Sequence, residues 1–477
     1  MILAKYNPQE VFKHFEAISQ IPRGSGNEKA VSDYIANFAT SLGHKVVQDK
    51  LHNLIIYKSG TLDSAPVILQ AHLDMVCEKN TDTTHDFLHD PINLYIDGDY
   101  IKAKGTTLGA DNGLGVAMCM ALLTATDIPH PPLEIVLTSE EETGMDGAKG
   151  LDFSQLSGKR MINLDNSNDS TFVMGCAAGT TLEFRLPSEW VAVAADNIVL
   201  SIAISGLTGG HSGGDITKER GNALRILGHV LSALEQQVDI GITNICGGMK
   251  VNAIPREATA TVVFPQNEMN KVTDILEQCK NNFAEQYRTT DKNLNIYWES
   301  AMAEKSLSAH IGRNLTALLT LIPNGVQHMS FEIDGLVNAS CNVGVATTST
   351  EYIQILAMAR GAAGFYNRQM EAQAYSLARL VGAELTFSQR SPAWPYNPNS
   401  ELLKVALEHY VPIYGQEANV AASHGGLECG VFVENIDGID IIAFGATAHD
   451  LHTPDERASI SSVEKTWEFV KSLLGAL

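Results

Sequence analysis

Apolar residues along the first 180 positions follow two spacings. Val11, Phe12, Phe15 and Ile18 recur every three or four residues behind Asn7-Pro8, and Val31, Tyr34, Ile35, Phe38 and Leu42 do so ahead of Gly43. That period puts each set on one helix face. Helices are therefore expected from Pro8 onward and over 28–42, with Asn7 as N-cap, Pro8 at N1 and Gly43 as the second stop. HKVVQD and LHNLIIYK read as strands joined near Lys50. Three short runs, PVILQA (66–71), LEIVLT (133–138) and MINLD (161–165), are almost wholly apolar, as strands buried on both faces must be. Between the first two, GLGVAMCMALLTA (113–125) is apolar nearly all round and reads as a buried helix.

The texture changes from about 180 to 390. Strand patterns such as NIVLSIAISG (197–206) and EATATVVFP (257–265) alternate with amphipathic helices over 223–237 and 268–287. A similar block covers 349–359 and 365–382. After SPAWPYNPNS (391–400) the first texture returns, with IDGIDIIAFGA (436–446) as another buried strand. The expected fold class is α/β. A domain with a central, mostly parallel sheet flanked by helices is built from 1–180 and 391–477, and an α+β domain over 181–390 interrupts it. A chain of 477 residues is also too long for one ordinary core.

Composition narrows the function classes. The formal net charge of −22 repels nucleic acid and anionic membranes, so neither is expected as a partner. No apolar run reaches the roughly 18–20 residues of a membrane helix. The seven cysteines are odd in number and include no CxxC pair, which suits a reducing compartment. The first residues lack a basic stretch followed by an apolar block, so no signal peptide is expected and the location is read as cytoplasmic.

The chemistry gathers at strand ends. VILQAHLDMV leads to His72 and Asp74, LEIVLTSEEE to Glu140, Glu141 and Glu142, and MINLDNS to Asp165. IIAFGATAHDLHTPDE leads to His449, His452 and Asp455, and KGTTLGADNG sets Asp111 and Asn112 before the buried helix. Open α/β sheets bind ligands at the carboxyl ends of their strands. Any one of these residues has an ordinary structural use; an Asp before a helix is usually a cap. Several carboxylates at one sheet edge repel one another unless cations neutralise them. Two histidines with three carboxylates make a suitable shell for two borderline divalent ions.

HLDMV, GTTLGADNG, EExGMDGA, GGHSGGD, NAIPREA, HGGLECG and HTPDE together resemble the M20 metallopeptidase family, and within it the aminoacyl-histidine (Xaa-His) dipeptidase group. The resemblance implies a zinc exopeptidase-like catalytic domain and a lid and dimerisation domain. It implies that His72 binds one metal with Asp74 orienting its imidazole, and that Asp111, in a cis bond to Asn112, bridges two metals. Asp165 would complete the first shell; Glu142 and His452 would complete the second. The family pattern Glu-Glu-x-Gly, anchored on Gly144, makes Glu141 the general base and leaves Glu140 to solvent. His211 would stabilise the oxyanion and Arg360 would bind the substrate carboxylate. Asn252, Arg256, His424 and Glu428 are further substrate contacts.

The implied cofactors are two divalent ions, Zn foremost, with Co or Mn as alternatives. The implied partners are a dipeptide, such as Xaa-His or β-alanyl-histidine, and a second copy of the chain. Gly361-Ala362 stand where the group carries Ser-Ser, and Gly445-Ala446-Thr447 where it carries Gly-Pro-Thr. These departures bear on substrate preference. The rival readings are an N-acyl-amino-acid deacylase or longer-peptide exopeptidase on the same scaffold, and a non-catalytic dimeric binding protein.

Overall fold

Strands Val67–His72 and Leu133–Thr138 have every residue buried, as their unbroken apolar runs require. In a computed structural model, which describes residues 2–331, 333 and 335–477, they lie side by side and parallel at the centre of an eight-stranded sheet. Arg160–Asn163 and Asp440–Ala443 extend the parallel set. Lys45–Gln48, Leu54–Lys58 and Thr171–Cys176 are antiparallel neighbours toward the edges. All four parallel strands therefore point their carboxyl ends the same way. The residues just past those ends are His72, Glu140–Glu142, Asp165 and the loop to His452.

The chain forms two compact units. One comprises residues up to Cys176, Trp394–Ala422 and Leu427–Leu477; the other comprises Ala177–Ala393 with Ser423–Gly426. The first boundary lies a few residues before position 180, because strand Ala178–Pro187 pairs with Tyr352–Gly361 of the second unit's sheet. The four-residue excursion at 423–426 has no counterpart in the expected boundaries.

The second unit is built on an antiparallel nine-stranded sheet. Val337–Thr348 is central in it, joining Gly241–Gly247 on one side to Tyr352–Gly361 on the other. Helices Ala223–Glu235, Met269–Gln286, Ala309–Leu321 and Gly364–Val381 pack with that sheet around one apolar core.

Two helix starts differ from expectation. Helix Gln9–Ile18 begins one residue later, because Pro8 has extended backbone (ψ 121°) and is itself the N-cap; its carbonyl accepts from Val11 and Phe12. The Asn7–Pro8 bond is cis. The buried helix spans Ala110–Thr124, three residues earlier than the apolar run suggests, and takes in Asp111 and Asn112 in non-helical backbone joined by a cis bond. Gly115 lets this helix approach the sheet, since a Cβ there would stand 2.9 Å from the Leu164 carbonyl oxygen.

An aromatic cluster lies within the main core of the first unit. Phe172 stacks on Phe444 at 4.7 Å between ring centroids and meets Tyr410 and Phe469 edge-on or tilted. Phe444 also donates its N–H to Asn163, which fixes the exit of Asp440–Ala443 toward the His452 loop. Phe172→Ala should destabilise this unit by about 3–5 kcal/mol, read as a lower denaturation midpoint by near-ultraviolet circular dichroism. An unchanged midpoint would mean the cluster does not hold the unit together.

Candidate metal centre

His72 ends its strand, paired in register with Thr138 of the neighbouring strand. Its Nε2 lies 3.0 Å from Asp111 Oδ1 and 3.3 Å from Asp165 Oδ1. His452 Nε2 lies 3.1 Å from Glu142 Oε1 and 3.4 Å from Asp111 Oδ2. Asp111 thus divides its two oxygens between the two histidines. Three sets of donor atoms each fall within 4.8 Å of one another: His72, Asp111 and Asp165; Asp111, Glu142 and His452; His72, Glu141 and Glu142.

The turn carrying the glutamates is fixed from below. Asp74 is fully buried; its Oδ1 stands 3.3 Å from His72 Nδ1. The same carboxylate accepts the Ser25 hydroxyl at 2.7 Å and the N–H groups of Glu141 and Glu142 at 3.1 and 3.2 Å. Glu28 accepts the Glu140 N–H at 3.0 Å. Glu140 has left-handed backbone (φ 53°) and is half-buried. Gly147 closes the turn. A Cβ there would collide with the Ser139 carbonyl and reach 2.6 Å from Asn53 Oδ1.

The electrostatics show why such a cluster needs cations. Burial, with repulsion from Asp165, Glu428 and Glu142, outweighs attraction to His72 and holds Glu141 well above the usual carboxylate range. Burial, with Asp111 adding to it, raises Asp165 to about 6. Hydrogen bonds to Asp111 and Glu142 lift His452 to about 10. Burial alone would lower His72, but Asp165, Asp111 and Asp74 override it and push the ring well above its ordinary value. Without metal, protons supply part of the counter-charge. His72 Nδ1 and Glu142 Oε1 are buried without an aligned hydrogen bond. A donor set of nitrogens and oxygens only, with carboxylate oxygens turned toward both histidines, fits divalent ions.

Glu428, expected to touch substrate, is fully buried at the sheet. Its Oε2 accepts from Gln70 at 2.5 Å and from the Thr138 hydroxyl at 2.6 Å. Burial, with Asp165 and Asp74 nearby, raises its pKa to about 8. It is part of a polar thread beneath the site that continues from Gln70 to Asn163.

The remaining candidates form a separate group in the second unit. His211 pairs through Gly210–His211 with Ala253–Ile254. Its Nδ1 accepts from the N–H groups of Gly213 and Gly214 at 3.2 and 3.1 Å, so the neutral ring carries its proton on Nε2. Asn252 accepts the Ser212 N–H through its carbonyl, and Arg360 donates Nε–H to the Ser212 hydroxyl at 3.3 Å. Arg360 is buried, and desolvation lowers it to about 10. His424 Nε2 meets the Ser340 hydroxyl at 2.7 Å, and burial with Arg360 nearby drops it to about 3. Arg256 is exposed, lies against Gly209 and donates to the Leu207 carbonyl, 3.4 Å away.

Sequence reasoning missed the residues that hold the ligand loops. Glu456 accepts backbone N–H groups from Leu108, Gly109, Ala110 and Asp111. Buried Arg23 donates to the carbonyls of Leu73, Asp74 and Gly109. Glu456 sits inside HTPDE, yet its partners are main-chain groups some 345 positions away, and no side-chain pattern marks them.

Residues 68–476 match the profile of peptidase family M20/M25/M40. The chain is 36% identical over 480 residues to the cytosol non-specific dipeptidase of Escherichia coli (strain K12), across 99% of this chain and 98% of that protein. The crystal structure of aminoacylhistidine dipeptidase from Vibrio alginolyticus superposes with a TM-score of 0.90 at 36% identity, covering 100% of this chain and 98% of that one. An aminopeptidase from Bacillus cereus ATCC 10987, 16% identical and covering 98% of each chain, shares the fold at a TM-score of 0.58. With a family match over most of its length and a relative of this identity from end to end, the chain belongs to peptidase family M20/M25/M40.

Proposed function

We propose that the protein is a metal-dependent dipeptidase acting on unblocked dipeptides, Xaa-His and β-alanyl-histidine among them. The carrying observation is Asp111, whose two oxygens face two different histidines. His72, Asp111 and Asp165 would hold one divalent ion, and Asp111, Glu142 and His452 a second. Zinc suits this set best, with cobalt or manganese as alternatives. Bound there, the ions would acidify water and polarise a peptide carbonyl.

The chain's own groups then divide the work. Glu141 takes a proton from the attacking water and passes it to the leaving amine. Asp74 holds the His72 ring and the Glu141–Glu142 turn in place. His211 donates Nε2–H to the developing oxyanion. Arg360 binds the C-terminal carboxylate, with Asn252 and His424 as nearby polar contacts, which favours short, free substrates. The second unit serves as lid and as the surface of a homodimer. Likeness to a cytosolic relative supports a cytoplasmic location. Among the described residues, no helix is long and apolar enough to cross a membrane.

The glutamate triplet tests the roles directly. Glu141→Gln should keep both metals and lose at least about 100-fold in kcat, the lower range of general-base contributions. Glu142→Gln should weaken one metal, and Glu140→Gln should change turnover only a few-fold. Equal losses at 140 and 141 would overturn the register.

Metal uptake should also depend on pH with a definite sign. Without metal, His452 is lifted to about 10 and His72 is pushed above its ordinary value, so each ring holds its proton more tightly than a free imidazole and must give it up on binding. Affinity should therefore rise from pH 6 to 8, by about tenfold per pH unit for each proton displaced, with proton release seen by calorimetry in two buffers. A pH-independent affinity would contradict the assigned ligands.

Substrate class is settled by comparing β-alanyl-histidine, its N-acetyl form and a tripeptide. Hydrolysis of the free dipeptide is expected to dominate. Cleavage of the blocked form alone would make the protein an N-acyl-amino-acid deacylase.

A further inference from the structure

The loop that presents Asp111 is gripped from both sides by its backbone. The Glu456 carboxylate is buried and accepts four consecutive N–H groups, from Leu108 at 2.7 Å, Gly109 at 3.0 Å, Ala110 at 2.8 Å and Asp111 at 3.4 Å. Arg23 reaches the same stretch through the Gly109 carbonyl. Its other guanidinium nitrogen joins the carbonyls of Leu73 and Asp74 at 2.9 and 3.0 Å, in the loop beyond His72. Glu456 lies four residues after His452, on the loop that bears the opposite histidine. Two side chains thus tie together three loops, carrying His72 and Asp74, Asp111, and His452.

We propose that Arg23 and Glu456 are positioning residues that set the Asp111 carboxylate between His72 and His452, with one oxygen toward each ring. The inference rests on the metal centre proposed above. The reason is geometric. Asp111 must offer one oxygen to each side, so a small rotation of its backbone would spoil both shells at once. A carboxylate that accepts four successive amides fixes that rotation, and a charged acceptor holds amides more strongly than a neutral one. Gln at 456 would keep the volume but turn an N–H donor toward backbone N–H groups, losing one acceptor and adding a clash of donors. Glu456 also favours the N-terminal end of the helix that starts at Ala110. Removal should be felt as lost metal affinity and not only as lost stability.

A second buried carboxylate gives the control. Glu134 accepts the N–H groups of Ser157 and Gly158, each at 3.0 Å, near the opposite end of the strand that leads to Glu141. It staples backbone in the same manner but far along the strand from the ligands.

The test is a zinc titration of the metal-stripped full chain against a chelating indicator, with melting temperature followed in parallel. Glu456→Gln should raise the zinc dissociation constants by about 10–100-fold. Glu134→Gln should lower the melting temperature without moving zinc affinity. If the wild type binds zinc and Glu456→Gln binds it equally well, the positioning role is overturned. If Glu134→Gln weakens zinc as much as Glu456→Gln, the effect is general destabilisation and the role is likewise overturned. A wild type that takes up no zinc, cobalt or manganese would instead overturn the metal-centre reading on which the inference rests. Should Glu456→Gln not fold, Arg23→Lys carries the comparison. It keeps the charge and loses the planar fork, and wild-type affinity there would overturn the proposal.

Discussion

Repulsion among buried carboxylates is the constraint that organises this molecule. Asp111, Asp165, Glu141 and Glu142 contribute oxygens to overlapping groups of donor atoms no wider than 4.8 Å. Two like charges 4 Å apart at an effective dielectric of 20 oppose each other by about 4 kcal/mol. A few such pairs approach the roughly 5–15 kcal/mol net stability of a folded domain. Raised values at the two histidines show this strain, His452 lifted to about 10 and His72 pushed above its ordinary value by the acids around them, and the proposed cations would relieve it. Burial, with the same repulsion added to it, raises Glu141, the acid whose proposed work is to hold and release a proton.

The fold follows from bringing such groups to one edge without burying loops. Four parallel strands deliver His72, the glutamate turn, Asp165 and the His452 loop to the same side of the sheet. Rigidity comes from beneath: Asp74 on the glutamate amides, Glu28 on Glu140, Glu456 and Arg23 on the Asp111 loop. Each uses a charged side chain to hold main-chain groups, which keeps buried charge and buried amides satisfied together. In the second unit, Arg360 and His424 are held by the hydroxyls of Ser212 and Ser340 instead.

Much of this was legible in the chain. The continuous apolar runs marked the central strands because both their faces are covered, and strand-end His and acid residues marked the site because parallel strands share an end. The family pattern anchored on Gly144 gave Glu141 and Glu142 different expected roles. The rest was illegible for physical reasons. Sequence preference puts Asn7 at the N-cap and Pro8 at N1, and only Pro8's extended ψ moves the start to Gln9. The hold of Glu28 on the Glu140 N–H, across 112 positions, leaves no mark in the sequence. Glu428 stands in a motif that suggests substrate contact, yet Gln70 and Thr138 draw it under the sheet. Glu456 and Arg23 act on backbone groups, which carry no residue identity for a motif to record.

Asp111 is the group on which the account turns, so counting metals with and without its charge tests it most directly. Native mass spectrometry of the zinc-loaded wild type should show two ions per chain, and Asp111→Asn, folded by circular dichroism, should lose both at the same free zinc concentration. Two ions retained by Asp111→Asn, or fewer than one bound by the wild type, would contradict a centre built around a shared carboxylate.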